Sequence, residues 1–102
     1  MTKVFEFEET LKPFEKVEQQ LIAFVPEYNM LNEVRQRVIC DMCFNLGLQG
    51  LLGFKSMWKS ISENNFRLAS TEMLDSHWAH QVGMRANRLA KMMETGEDIN
   101  KI

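Results

Sequence analysis

The stretch from Val34 to Leu46 constrains the fold most. Val34, Val38, Ile39, Met42, Cys43 and Leu46 recur at three- and four-residue steps, and a helix of 3.6 residues per turn sets such positions side by side. Their arc is so wide that the spacing predicts a central, nearly buried helix. Glycines then follow at positions 47, 50 and 53, a repeat that breaks a long helix. Gly47 is expected to end the central helix as a left-handed C-cap. After a short turn that begins past Gly50, the next helix is expected from about Phe54 to Ser62.

Leu11, Phe14, Val17, Leu21 and Phe24 make a second stripe, ending at Val25-Pro26. Thr10 can cap this helix, and Pro13 is tolerated in its first turn because the amides there have no intrahelical partner. Ahead of Thr10, Val4, Phe5, Glu6, Phe7 and Glu8 alternate in character, which fits either an extended arm or an earlier helical turn. Asn29 or Asn32 is the candidate cap of the central helix. Beyond the connection at Ser62-Glu63-Asn64-Asn65, Phe66, Ala69, Met73 and Leu74 mark one helix, and Trp78 marks a short one after Asp75. Met84, Leu89, Met92 and Met93 mark the last, ended by Thr95-Gly96. No Asn-Gly or Asp-Gly hairpin turn, strand ladder or repeat appears. The expectation is an all-α, compact multi-helix fold around a central buried helix. It forms a single domain over 1–102, with an arm and long helix over 1–25 and a helical lobe over 26–102.

Composition narrows the function. With 102 residues, 45% of them hydrophobic, the chain suffices for one core. Twelve Lys and Arg scattered among fourteen Asp and Glu offer no basic face for phosphate, so no nucleic acid is expected as a partner. No apolar run approaches the roughly 18 residues of a membrane span. Met1-Thr2-Lys3-Val4 does not read as a signal peptide, so a cytoplasmic location is expected, that of a host cell if the chain is phage-encoded. Cys40 and Cys43 together with His77 and His80 raise the question of zinc. Both pairs, however, lie inside helical patterns at a spacing foreign to small zinc folds. A mid-helix Cys pair also argues against redox chemistry, and buried free thiols suit a reducing compartment. No metal and no cofactor are expected. Met73, Met84, Met92 and Met93 either fill the core or make an adaptable binding surface.

The order of landmarks from Pro26 to Asp98 carries a resemblance. Pro26, Tyr28 and Leu31 lead into a helix bearing Val34-Arg35. Then come Phe44-Asn45-Leu46-Gly47-Leu48-Gln49-Gly50-Leu51-Leu52-Gly53-Phe54, Ser76-His77-Trp78-Ala79-His80-Gln81, Arg85-Ala86-Asn87-Arg88 and Thr95-Gly96. This series resembles the C-terminal helical lobe of the phage-type lysozymes, the glycoside hydrolase family of T-even bacteriophages. Leu11 to Leu21 more loosely resembles the long helix that joins that family's two lobes.

Cleavage of a glycosidic bond generally needs two flanking carboxylates. The resemblance places these in an N-terminal lobe, at the end of a helix and on the hairpin after it, with a Thr beyond. Here Glu6, Glu8, Glu9, Glu15, Glu18, Glu27 and Glu33 precede the central stripe, none followed by a Gly-rich hairpin with Asp and Thr. They read as a solvated helix face. The catalytic lobe is expected to be absent, no residue is assigned as catalytic, and no glycosidase activity is expected of this chain alone.

For the far wall of the cleft, the resemblance implies that Asn45 contacts saccharide, the alternative being that its amide merely bonds the turn at Gly47. Arg85 stands where the family has an arginine reaching to its catalytic glutamate. Without that partner it is expected either to take a carboxylate from elsewhere or to face water. Trp78 and Gln81 pack beneath that region, with Trp78 serving as core or as ligand platform. Gly47, Gly50 and Phe54 are the structural turn.

The leading expectation is a non-catalytic, lysozyme-like phage or prophage protein that acts as an interaction module through Asn45, Trp78, Gln81 and Arg85. Its partner is another protein or a second copy of the chain. The competing expectations are the docking half of a split muramidase and a peptidoglycan-binding domain of a lysis system.

Overall fold

Six α-helices and one 3-10 turn build residues 13–98, the part of the chain that the computed structural model describes, and no strand occurs among the described residues. They are α1 (Pro13–Phe24), the 3-10 turn (Pro26–Met30), α2 (Glu33–Leu52), α3 (Lys55–Ser62), α4 (Phe66–Leu74), α5 (His77–Val82) and α6 (Met84–Thr95). The fold is the expected all-α lobe. The cap at Thr10, the arm ahead of it, Leu11 and the side chain of Phe14 lie outside the described residues.

Local signals set most boundaries. Asn32, rather than Asn29, caps α2, its side chain accepting from the Arg35 amide at 2.9 Å, while Asn29 falls inside the 3-10 turn that Pro26 opens. Asn65 and Ser76 cap α4 and α5 in the same way, each satisfying an amide that has no intrahelical acceptor. Gly96 ends α6 in the left-handed conformation, with φ 74 and ψ 17.

Gly47 behaves differently from expectation. Its φ of 78 and ψ of 164 lie outside the left-handed helical region, in a conformation that is nearly reserved to glycine. It therefore interrupts the helix at the expected place, as a kink rather than as a left-handed helical C-cap. Helix resumes through Leu52, so Gly50 sits inside the second segment rather than ahead of it. Beyond the kink, Leu51 of the second segment is fully buried, so that segment has an apolar side chain to place in the core, which a chain leaving the helix at Gly47 would not bring there by periodicity alone.

The stripe over Val34 to Leu46 is also less enclosed than its width suggests. Val38, Ile39, Cys40, Met42 and Cys43 are buried, whereas Arg37, Phe44 and Asn45 are exposed. Thus α2 is central but keeps one open face. The α6 helix packs against α2, α4 and α5, and Leu89, Ala90, Met92 and Met93 bring its apolar side into the same core as Ile39, Met42, Met57 and Met73. Of the four methionines in the second half, Met73, Met92 and Met93 fill this core, while Met84 is 83% exposed.

Beneath α1, the Tyr28 hydroxyl donates to Glu18 Oε2 at 2.7 Å and lies 3.3 Å from Cys40 Sγ. Burial, reinforced by the bonds to Cys40 and Glu18, raises the pKa of this phenol. Burial likewise pushes the Cys40 thiol up to about 11, because each ionised form would lose its hydration.

Candidate functional site

Two helices meet twice, and the two meetings frame the site. At one end, the start of α2 grips the end of α6. Asn32 Nδ2 donates to the Gly96 carbonyl at 3.1 Å. Arg35 donates through Nε to the Met93 carbonyl at 2.6 Å and through Nη2 to the Glu94 carbonyl at 2.9 Å. These carbonyls are among the last of α6 and have no amide above them, so a cation there also complements the negative end of the helix. The guanidinium further lies 3.6 Å from the centroid of the Phe66 ring. Partial burial lowers the Arg35 pKa, yet a guanidinium stays charged in proteins.

Beside this clamp and reaching to the other end of α6, the same helices line a groove of about 430 Å³. Arg37 and Asp41, one turn apart, form the α2 wall, while Met84, Arg85 and Arg88 form the α6 wall over a floor that includes Leu89. Gly83 sets the α6 wall in place. Its φ of 64 and ψ of −131 permit the sharp turn between α5 and α6 that a side chain would oppose. Arg85 Nη2 donates to Asp41 Oδ1 at 2.9 Å, with the two side chains 54% and 27% exposed. Arg37 Nη1 lies 3.4 Å from Asp98 Oδ2. Arg88 has no ion-pair partner among the described residues.

Of the residues singled out in the sequence, Arg85 is among those that line the groove and Asn45 is bonded to the residue that pairs with it, Asp41. Asp41 of its own chain engages Arg85 there, while the arginine side chain stays half exposed. Asn45 is exposed, and its amide donates to the Asp41 carbonyl at 3.1 Å, one turn back in the helix, rather than bonding the turn at Gly47. Gln81 is exposed on α5. Trp78 is 3% exposed and stands edge-on to Phe54 at 6.4 Å, so it serves the core. Its Nε1 has no hydrogen-bond partner among the described residues.

Sequence reading missed Asp41, whose signal was its place one turn after Arg37 and one turn before Asn45. Exposed His77 and His80 stand on α5, and Cys40 and Cys43 are buried free thiols on α2. No three His, Cys, Asp or Glu among the described residues are grouped so as to hold a metal ion. No helix of the described residues is long and apolar enough to cross a membrane.

Two known proteins resemble the chain. Over 69 residues, 68% of its length, the chain is 38% identical to the Dictyostelium discoideum protein named "Probable T4-type lysozyme 1". It is 33% identical over 69 residues to "Probable T4-type lysozyme 2" of the same organism. In each case the match covers 41% of the relative, so the chain spans about two fifths of the length of the curated relatives it matches. No family model matches the chain. The ordered landmarks, the all-α lobe and these relatives together relate this chain to the phage-type lysozyme family.

Proposed function

We propose that this lysozyme-related chain acts as a non-catalytic interaction module, and that the groove between α2 and α6 is where it holds a protein partner. The observation that carries the reading is the ion pair between Arg85 and Asp41. The resemblance gives the arginine at this position a carboxylate in the catalytic lobe. Here a carboxylate of the lobe itself holds it, leaving the groove a self-contained surface with exposed Met84 and Arg88 at its rim. Cationic and apolar groups side by side favour a segment that carries both carboxylate and large apolar side chains. A phage or prophage setting rests on the resemblance alone.

The test compares capture from host lysate by the wild-type chain and by the double variant Met84→Ser with Arg88→Ala. A stoichiometric protein retained by the first and lost by the second is the expected result. Equal retention by both would remove the groove from the reading.

A second reading is favoured by the names of the relatives: the chain docks with a separately supplied catalytic lobe to give a muramidase. Cell-wall clearing by a mixture of the two, with none from either alone, would establish it. The peptidoglycan-binding reading predicts that the chain sediments with purified cell wall and that Asn45→Ala weakens the association.

A further inference from the structure

In the groove between α2 and α6 the cations outnumber the carboxylates, and the carboxylate on Arg85 holds it lightly. Arg37, Arg85 and Arg88 line the groove with Asp41 and Asp98. Arg85 gives Asp41 Oδ1 a single N–H, from Nη2 at 2.9 Å, so the rest of its fork is open to another acceptor. Arg88 follows three residues later, on the same face of α6, and has no ion-pair partner among the described residues. A water-exposed pair contributes little, so a further carboxylate meets weak competition at Arg85 and none from a described ion pair at Arg88.

We infer that the groove recognises a carboxylate of its partner, carried beside a large apolar side chain, and that Asp41 is the internal competitor which this carboxylate displaces from Arg85. The inference rests on the groove being the protein-binding surface, and it adds how that surface selects its partner. The incoming carboxylate bridges Arg85 and Arg88, while the apolar group beside it covers Met84, which is 83% exposed, above Leu89. Asp41 is not stranded when it lets go, because Arg37 stands one turn earlier on α2, the spacing at which a helix brings opposite charges together.

Charge complementarity favours this occupant. Three arginines against two aspartates leave a positive surplus, and a guanidinium takes carboxylate by paired, charge-assisted bonds. A second copy of the chain is a poorer occupant, since a two-fold contact through this face would set the same surplus against itself. Asp41 also makes the groove selective. A neutral apolar segment gains nothing by opening the Arg85–Asp41 pair, whereas a carboxylate replaces what Asp41 gives up.

The test titrates the full chain with the acetylated and amidated peptide Glu-Leu-Phe-Glu, followed through the Arg85 and Arg88 Nε–Hε signals and the Met84 methyl by NMR. Binding is expected, and the neutral counterpart Gln-Leu-Phe-Gln should bind at least about threefold more weakly. Asp41→Asn should tighten the acidic peptide about two- to fivefold, the range open to an exposed ion pair, and leave the neutral one unchanged. This gain should vanish in an Arg85→Ala background, and an unchanged far-UV spectrum shows that the variants fold. The inference is overturned if the acidic peptide does not bind, or if Asp41→Asn fails to tighten it. It is overturned too if both peptides tighten alike or the gain persists without Arg85, either of which would assign the effect to the general field of the groove. A lysate protein whose capture needs Met84 and Arg88 but is indifferent to Asp41→Asn would sink this inference and leave the proposed function standing.

Discussion

The two meetings of α2 with α6 use the same residue type to opposite ends. At the clamp, Arg35 spends its fork on two backbone carbonyls and its face on Phe66. In the groove, Arg85 holds one carboxylate oxygen while remaining 54% exposed, and Arg88 holds no described carboxylate. Partial burial and backbone acceptors make the first arginine structural. Water on the second pair keeps its energy small and its partner exchangeable. The two ends of one helix pair thus differ in how firmly each arginine is held.

Arg35→Ala should destabilise the chain by about 2–4 kcal/mol, since charge-assisted bonds to two carbonyls and the ring contact are lost together. Urea denaturation measures it. Arg35→Lys should recover little, because an ammonium cannot span both acceptors. A loss below that of an exposed ion pair would erase the contrast between the two ends.

Alkaline pH should come next, acting on the buried side of α2. The folded Cys40 thiol keeps its proton up to about 11 against an ordinary 9.0, and the Tyr28 phenol shifts in the same direction. Above pH 9 the unfolded chain therefore binds fewer protons than the folded one. Stability is fully present below the unfolded value and falls as pH rises through the folded one, by about 1.4 kcal/mol per pH unit for a single group. Denaturation midpoints between pH 8 and 11 would show the decline, and Cys40→Ala should make it shallower.

Gly96→Ala should cost about 1–2 kcal/mol, because a left-handed alanine is strained. Its Cβ would also stand 2.8 Å from Asn32 Nδ2 and 3.0 Å from the Arg35 guanidinium. The effect should shrink in an Arg35→Ala background, where the clamp has already opened.

Arg85→Ala should change stability least, by less than about 1 kcal/mol and less still in high salt, as for other solvent-exposed ion pairs. It should nevertheless weaken capture of a partner. A loss as large as that at Arg35 would show that the groove pair is part of the scaffold.

The fold was largely legible because helical signals are local. Asn32, Asn65 and Ser76 mark helix starts through their own side chains, and Gly96 marks an end through its own backbone freedom. Gly47 was misread for a related reason: glycine announces a positive φ but not which ψ accompanies it. Leu51, buried beyond the kink, settles that choice. The candidate site was less legible. Trp78 could serve the core or a ligand, and only its 3% exposure against Phe54 decides between them. Arg85 carried a plausible role, but its partner Asp41 lies 44 residues away, a separation no periodicity encodes. Arg35 was noted as a landmark without a function, because its acceptors are backbone atoms 58 and 59 residues distant.

By itself, then, the sequence determined the helices, their caps and the apolar faces that must meet, since these follow from side chains a turn apart. The tertiary structure alone decided which arginine became a clamp and which the rim of a groove. That outcome depends on how much water the packing of α2 and α6 leaves around each guanidinium, and water exclusion is a property of the assembled helices rather than of any stretch of chain.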